Sequence, residues 1–493
     1  MKRCFWVCCI FLSVNVFAQN RGNIWILGYQ PLVNDCGIDF NSGFADTFSV
    51  WKNMEFFYTN ASICDTAGDL QFYSNGIYIA NRNHDTLYNS NNFNPGYATE
   101  AHADEGLSAE QAVLILPTPK SESLYTIVHF SGEHVEGNSQ TQPLALRYSV
   151  VDISLDNGLG GILPNKKTIS LVNDTLVWGR TTACKHANGF DWWIITHRWN
   201  SDLYYKFLLT KDSIYGPFEQ HVGSIVIKND NLGQACFSPD GTKFCYVNKN
   251  YNFDYMQFDR CSGEFSNAVN VVLPDSNISQ GCAFSASSRF LFINTLTQLF
   301  QFDTWAPDLD FSKILVDTIP FEQPTLQDWF SQPMLAPDSK IYISTFNSIK
   351  ALHVINNPDS IGTSCDFQRK GLILPMYNGC AIPNLVNYDL SQSDGIDTCE
   401  SIYTTSLSQK IDQSIYRIYP NPVSDWLNII YQSNEDVLLE LFDLYGKRVG
   451  AISLFHYFKN RLLNVSELPP GVYLAAVSCK GERVWSEKVV VQR

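Results

Sequence analysis

Residues 233–260 read "GQACFSPDGTKFCYVNKNYNFDYMQFDR". An apolar run meets a polar turn at Ser238-Pro239-Asp240-Gly241, and a second apolar run, "KFCYV", follows at once. After a short break a third run, "FDYMQF", alternates. Gly241 can take the positive φ that a tight turn needs. The flanking runs alternate or are wholly apolar, as strands buried on both faces should be. The stretch therefore predicts three strands in close succession and no helix.

The same plan recurs. Residues 280–303 read "QGCAFSASSRFLFINTLTQLFQFD" and residues 331–356 read "SQPMLAPDSKIYISTFNSIKALHVIN". The turns begin at Ser238, Ser285 and Ala336, which are 47 and then 51 residues apart. Weaker copies cover 181–210, 110–130 with 144–153, and 61–80. Short strands repeated at this period predict a β-propeller over residues 20–390, with seven blades expected and six or eight as alternatives. Six repeats are plain and pieces are left over. "GCAIPNLVNYDL" (379–390) resembles an inner strand with nothing after it, while 23–30 and 37–41 resemble later strands with nothing before them. Together they are expected to form the last blade, closing the ring by pairing the two ends and covering its bare edges.

At "FSPDGTKF" (237–244) the body resembles TolB-type propeller repeats. The strings "CDTAGDLQFYSNG" (64–76) and "APDSKIYIS" (336–344) look like propellers common in secreted proteins of Bacteroidota. That resemblance implies a fold. The family is functionally mixed, so it implies little chemistry.

Composition agrees with an all-β chain. Of 493 residues 45% are apolar, 17% charged and 14% aromatic, and aromatic side chains suit pleated surfaces. The net charge is −15, which disfavours nucleic acid as a partner. The first residues, "MKRCFWVCCIFLSVNVFAQN", place two basic residues before an apolar run and small Ala18 at its end. Residues 1–18 are expected to be a secretory signal peptide. Cys8 and Cys9 lie inside the apolar run behind bulky Phe5, Trp6 and Val7, which argues against lipidation. No other apolar run approaches the ~20 residues of a membrane span, so the mature chain is expected to lack one.

Residues 391–414 are polar and read as a linker. Strand-like runs separated by turns then predict a small immunoglobulin-like sandwich over 415–493. This segment resembles the type A C-terminal sorting domain of the type IX secretion system. The matching pieces are Tyr419-Pro420-Asn421-Pro422, Leu444-Tyr445-Gly446, Gly471-Val472-Tyr473 and Lys488-Val489-Val490-Val491. The resemblance implies an address for passage across the outer membrane, read by the type IX machinery. It also implies a sorting protease that cuts in the linker, and replacement of the tail by a surface glycolipid. The protein is therefore expected to be secreted or surface-attached.

Candidate chemistry is sparse. "HFSGEH" offers His129, Glu133 and His134 at a strand-to-loop junction, with neither zinc-protease spacing. "HADEG" offers His102, Asp104 and Glu105 in a polar loop. Neither G-x-S-x-G nor a glycine-rich phosphate loop occurs, and "SPDGTKF" lacks the Trp of neuraminidase boxes. No catalytic, metal or cofactor residue is assigned, and no cofactor is expected. Trp192, Trp193 and Trp199 are candidates for stacking on a ligand, although adjacent Trp192 and Trp193 must point to opposite faces of a strand. Eleven cysteines follow residue 18, an odd number, so at least one is free or pairs between chains, and most are expected to be buried free thiols. A two-residue turn at Asp240-Gly241 would set Cys236 opposite Cys245 in a close, non-hydrogen-bonded pair and make them a candidate disulfide. A three-residue turn would put Phe244 opposite Cys236 instead. The expected function is a binding or adhesion module for an extracellular glycan or protein. The alternatives are a glycan hydrolase with its site in the propeller mouth, and a structural part of the cell-surface apparatus.

Overall fold

The computed structural model describes residues 20–29, 35–135, 141–225, 232–249, 252–274, 278–320, 328–393, 399, 416–431, 436–443, 447–479 and 482–492. The expected signal peptide, most of the expected linker, and Leu444 and Gly446 lie outside them. The chain divides into two compact units, Met1–Cys399 and Glu400–Arg493.

The first unit is a β-propeller. Among the described residues, seven antiparallel sheets of three or more strands follow one another along the chain, with innermost strands Ile24–Leu27, Ala61–Cys64, Val113–Pro117, Thr182–Lys185, Ala235–Phe237, Ser279–Phe284 and Phe330–Leu335. Four of the sheets have four strands in sequence order, as in Thr182–Lys185, Trp192–His197, Leu203–Leu209 and Ile214–His221. Each repeat read in the sequence begins one of the last six sheets. Inner and middle strands are largely buried on both faces, while the outermost strands are largely exposed: Glu264–Val272 carries the pattern eBeeeeeBe, against BBBBBB for Phe290–Thr295. That gradient is why the inner repeats read as continuous apolar runs. The two α-helical segments among the described residues, Tyr97–Ala101 and Leu155–Gly158, are short, and no described helix is long and apolar enough to cross a membrane.

The turn that anchors the repeats forms with Gly241 at φ +72°, where a Cβ would come within 2.8 Å of Cys184 Sγ. Cys236 does face Cys245, as the two-residue reading requires. The disulfide between them does not form, and both thiols are free. Bonds from Ser238 N to Lys243 O and from Val247 N to Gln234 O flank the pair two residues away on either side. The pair is thus in the hydrogen-bonded, wider position, not the close one expected. Cys236 Sγ instead lies 3.2 Å from Cys282 Sγ in the next sheet.

The ring closes differently from the expectation. The first sheet is built from Ile24–Leu27, Asp35–Asp39 and Asp46–Val50 alone, and residues 379–390 supply no strand to it. On one side its Trp25 and Phe40 pack on Tyr342 of the seventh sheet, with ring centroids 5.9 and 5.7 Å apart. On the other side, Asn60 Nδ2 and Ser62 Oγ of the second sheet donate to Ile26 O and Ile24 O at 2.8 and 3.0 Å. These side chains take the place of a ladder on the open edge.

Residues 379–393 form a strap through the centre instead. Ser344 Oγ donates to Cys380 O at 2.5 Å. Asn384, 3% exposed, receives Gln111 Nε2 at 3.0 Å and gives its own amide to Val113 O and Thr181 O at 2.9 and 3.1 Å. Its backbone N reaches Asn60 O at 2.8 Å. Further on, Tyr388 Oη donates to Ile115 O and Asn387 Nδ2 to Pro239 O, at 3.0 and 2.7 Å. Arg260 then clamps Ser391 O at 2.6 Å, and a disulfide joins Cys399 to Cys261 in the turn after Asn252–Asp259. The segment expected to begin a linker at residue 391 is therefore tied to the propeller.

The second unit is a sandwich of a three-stranded sheet and a four-stranded sheet, the latter in the order Arg448–Leu454, Val437–Phe442, Gly471–Cys479, Glu482–Val491. Trp426–Tyr431 alternates eBiBeB, so Leu427, Ile429 and Tyr431 enter a core with Leu439, Val477 and Trp485.

Two consequences are measurable. The Cys261–Cys399 bond closes a loop of 138 residues, for which the chain-entropy relation gives on the order of 5 kcal/mol. Cys399→Ser should lower the guanidinium midpoint accordingly, and dithiothreitol should do the same to the native chain but not to the variant. Asn384→Leu strips partners from two buried carbonyls and Gln111, and should cost about 3 kcal/mol in the same assay.

Candidate functional site

The inner strands of the fourth, fifth and sixth sheets place Cys184, Cys236 and Cys282 in the lining of one cavity. Nearer the turns at Ser238 and Ala336 the lining changes to Lys185, Phe237, Phe284 and Leu335. The strap residues Leu385–Leu390 form one wall, and Gln111 and Gln234 also line the space. The result is a cavity of about 330 Å³ inside the ring. That lies at the small end of ligand sites.

Its electrostatics are simple. Burial pushes the Cys184 thiol up to about 12, and the Cys236 and Cys282 thiols are raised well above their ordinary value by the same cause. They are neutral at physiological pH and poor nucleophiles. Lys185 and Asp389 are the acid–base side chains with full charges in the lining. Lys185 is 6% exposed. Its ammonium lies 5.3 Å from the centre of the Trp192 ring, a cation–π contact. No hydrogen bond or ion pair is made by its Nζ among the described residues. Burial lowers its pKa to about 8, with Arg21 and Arg260 adding to the effect and Asp389 opposing it.

The candidates read from sequence lie elsewhere. Trp192 and Trp193 are each 1% exposed. Their Nε1 groups donate to Pro117 O of the third sheet at 3.2 Å and to Arg260 O of the fifth at 2.9 Å, so the two rings point to opposite faces and pack between sheets. A ligand cannot stack on rings so enclosed. Trp199 is half-buried beyond the end of the same strand. His129 is buried between Asn94 Oδ1 at 3.0 Å and Ser149 Oγ at 3.1 Å, and desolvation lowers its pKa to about 3. Glu133 Oε2 accepts from Tyr97 N, and the His134 ring rests on Tyr97 with centroids 3.9 Å apart, so the three do not converge. His102 Nε2 meets Ser108 Oγ at 3.0 Å while Asp104 and Glu105 are exposed. Among the described residues the grouping with metal-ligand proximity is His186 with Cys261 and Cys399. Those two sulfurs are joined as a disulfide and offer no thiolate.

Lys185 and the glutamines escaped notice in the sequence. The glutamines had a signal. Gln111, Gln234, Gln280 and Gln332 stand at one register in four repeats, as "EQAV", "GQAC", "SQGC" and "SQPM". Gln111 exchanges two bonds with Ala235, giving at 3.0 Å and receiving at 2.8 Å, and so bridges the third and fifth sheets as a strand would. Inner strands crowd here: a Cβ on Gly281 would fall 2.2 Å from Gln234 Oε1 and from Pro333 Cδ.

In the second unit the tail motifs form one latch. Asn421 Nδ2 donates to Lys488 O at 2.6 Å and Asn421 Oδ1 accepts from Val490 N at 2.9 Å. Pro420 and Pro422, both after cis peptide bonds, hold Asn421 between them. Tyr419 is 47% exposed, whereas Tyr473 is buried and donates to Pro469 O at 2.7 Å, just before Gly471 begins its strand.

Residues 417–492 match the family described as the secretion system C-terminal sorting domain. Comparison with curated proteins finds no match. Among solved structures, the chain is similar to the periplasmic gluconolactonase PpgL of Pseudomonas aeruginosa. Identity is 10% and the TM-score 0.36, over 95% of this chain and 99% of that one. It is also similar to a protein from Lactobacillus plantarum, at 9% identity and TM-score 0.38 over 90% and 99% of the two chains. The β-propeller domain of Cps50 (Swd1) from Myceliophteria thermophila matches at 10% identity and TM-score 0.35, over 67% of this chain and 92% of that one. The sorting domain marks the protein for export by the type IX secretion system, to the cell surface or beyond it.

The buried ammonium should be visible in stability. Folding lowers the Lys185 pKa from 10.5 to about 8. Between those values the unfolded chain holds a proton that the folded chain lacks, so native stability rises with pH through that window. Lys185→Met should therefore be more stable than the native protein at pH 7, by on the order of 2 kcal/mol. The gap should shrink from pH 8 and vanish near pH 10.5, as read by urea midpoints at each pH.

Proposed function

We propose that the exported propeller is a binding protein whose ligand occupies the channel cavity. The observation that carries this reading is the lining itself. A space of about 330 Å³ lies between the inner strands of the fourth to seventh sheets and a disulfide-tethered strap, and holds neutral thiols, carboxamides, apolar groups, one cation and one carboxylate. Such a site offers contact and orientation, the ingredients of recognition. The turnover of a hydrolase would need an acid and a base converging on one bond, and the histidines nearest that task are committed inside sheets, with His129, His197 and His353 lowered by burial to about 3, 3 and 4. The ligand class that export to the surface makes available is an extracellular glycan or its fragments, or a peptide side chain from a neighbouring protein.

Two measurements test this. Purified full-length protein, titrated calorimetrically with monosaccharides and run beside glycosidase, peptidase and esterase substrates, should bind without turnover. Turnover abolished by substitution of a single cavity residue would overturn the reading. Separately, deletion of residues 415–493 should leave a folded propeller inside the outer membrane, detected by protease protection of intact cells. Normal surface appearance of the truncated chain would refute the tail as the export address.

A further inference from the structure

Two thiols in the cavity lining face each other across a sheet boundary. Cys236 lies on Ala235–Phe237, the innermost strand of the fifth sheet, and Cys282 on Ser279–Phe284, that of the sixth. Their sulfurs are 3.2 Å apart, although the residues are 46 apart in sequence. Cys282 Sγ also lies 3.7 Å from Gln234 O, so its side chain is turned toward the fifth sheet. Other buried thiols donate to carbonyls: Cys36 to Met376 O, Cys184 to Gly241 O and Cys380 to Phe346 O. Packing alone accounts for those. It does not require sulfur to meet sulfur beside a cavity. Cys236 is half-buried there, while Cys282 is 2% exposed.

We infer that Cys236 and Cys282 form a redox-active dithiol, which a small organic disulfide entering the cavity oxidises to a covalent tie between the fifth and sixth sheets. The sulfurs need approach only from 3.2 Å to the ~2.05 Å of an S–S bond. Cys236, the more exposed, meets the oxidant first. Its thiolate attacks one oxidant sulfur and expels the other half as a thiolate, which takes up the Cys236 proton. The Cys282 sulfur then attacks Cys236 Sγ, and the second half leaves with the Cys282 proton. Two protein S–H bonds and the oxidant's S–S bond are lost. One protein S–S bond and two small thiols are gained, and the oxidant has taken two electrons. Cys245 faces Cys236 in the wider, hydrogen-bonded position of the ladder, so Cys282 is the partner that closes the bond. Burial raises both thiols well above their ordinary value, which keeps the pair reduced until an oxidant is delivered. Export takes the chain to where disulfides persist, and Cys261–Cys399 is one already.

The probe is hydroxyethyl disulfide, added in excess to the purified full-length chain. The chain is then denatured in iodoacetamide without reductant and its peptides mapped by mass. Cys236 and Cys282 should leave the alkylated pool together, appear as one linked peptide, and return to the pool after dithiothreitol. Cys245→Ser should leave the link intact. Cys282→Ser should trap the intermediate, a hydroxyethylthio group on Cys236. Cys236→Ser should leave Cys282 alkylated and without an adduct. Oxidation should also raise the guanidinium midpoint of the native chain and leave that of Cys236→Ser unmoved. If either serine variant fails to fold, the native peptide map still decides. Separate adducts on the two cysteines, a link to Cys245 instead, or both thiols still open to iodoacetamide after the oxidant would each overturn the assignment. None of these outcomes bears on whether the cavity binds a ligand.

Discussion

Every inner strand of a propeller pairs on one side only, and its second edge faces the axis with carbonyls and amides that must be satisfied there. In this protein that requirement is met by side-chain amides. Asn384 reaches the third and fourth sheets with one carboxamide, and Gln111 takes the part of a strand against Ala235. Much else follows from it. A residue that must sit on the axis has to be delivered by a segment crossing the ring, so residues 379–393 form a strap. A strap without a ladder needs other fastenings, and Arg260 and the Cys261–Cys399 bond provide them. The first sheet is then free to be completed by N-terminal residues alone, with Asn60 and Ser62 capping its open edge.

What could be read in advance follows the range of the interactions. The repeats were legible because strand, turn and strand are local, and Asp240-Gly241 sets the Cys236–Cys245 register by itself. The sandwich was legible because one buried face gives period-two alternation. The strap was misread as a strand: "GCAIPNLVNYDL" has a strand's composition, and only the distant carbonyls of Val113 and Thr181 show what its Asn384 is for. The disulfide joins residues 138 apart with no spacing pattern to reveal it. Trp192 and Trp193 tempted a functional reading because large aromatics serve both cores and ligands, and burial alone separates the two uses. Lys185 had no signature at all. Its burial in the cavity lining and its place over the Trp192 ring come from the fold, which no neighbour in sequence can disclose.

The two units divide the work along physical lines. The tail motifs belong to a self-contained latch in which Asn421 ties the Pro-flanked turn to the last strand, so a shape is presented whatever cargo precedes it. In the propeller the buried histidines are neutral and the cavity thiols protonated, Lys52 is paired with Asp35 at 2.7 Å, and the Lys185 ammonium lies over a ring. Holding that charge in place costs folding energy, the kind of local sacrifice that sites of recognition make and cores do not.

The position of Cys399 also has a mechanical meaning. Whatever tugs on the chain beyond this residue, whether a transport machine or an anchor to the cell, cannot peel the strap out of the axis one hydrogen bond at a time. Tension arrives through a covalent bond at the turn following Asn252–Asp259 and is borne by a four-stranded sheet in the wall of the ring. The strap downstream of Asn384 carries no load until that sheet yields. The cavity beside it can keep its shape while the protein is being hauled.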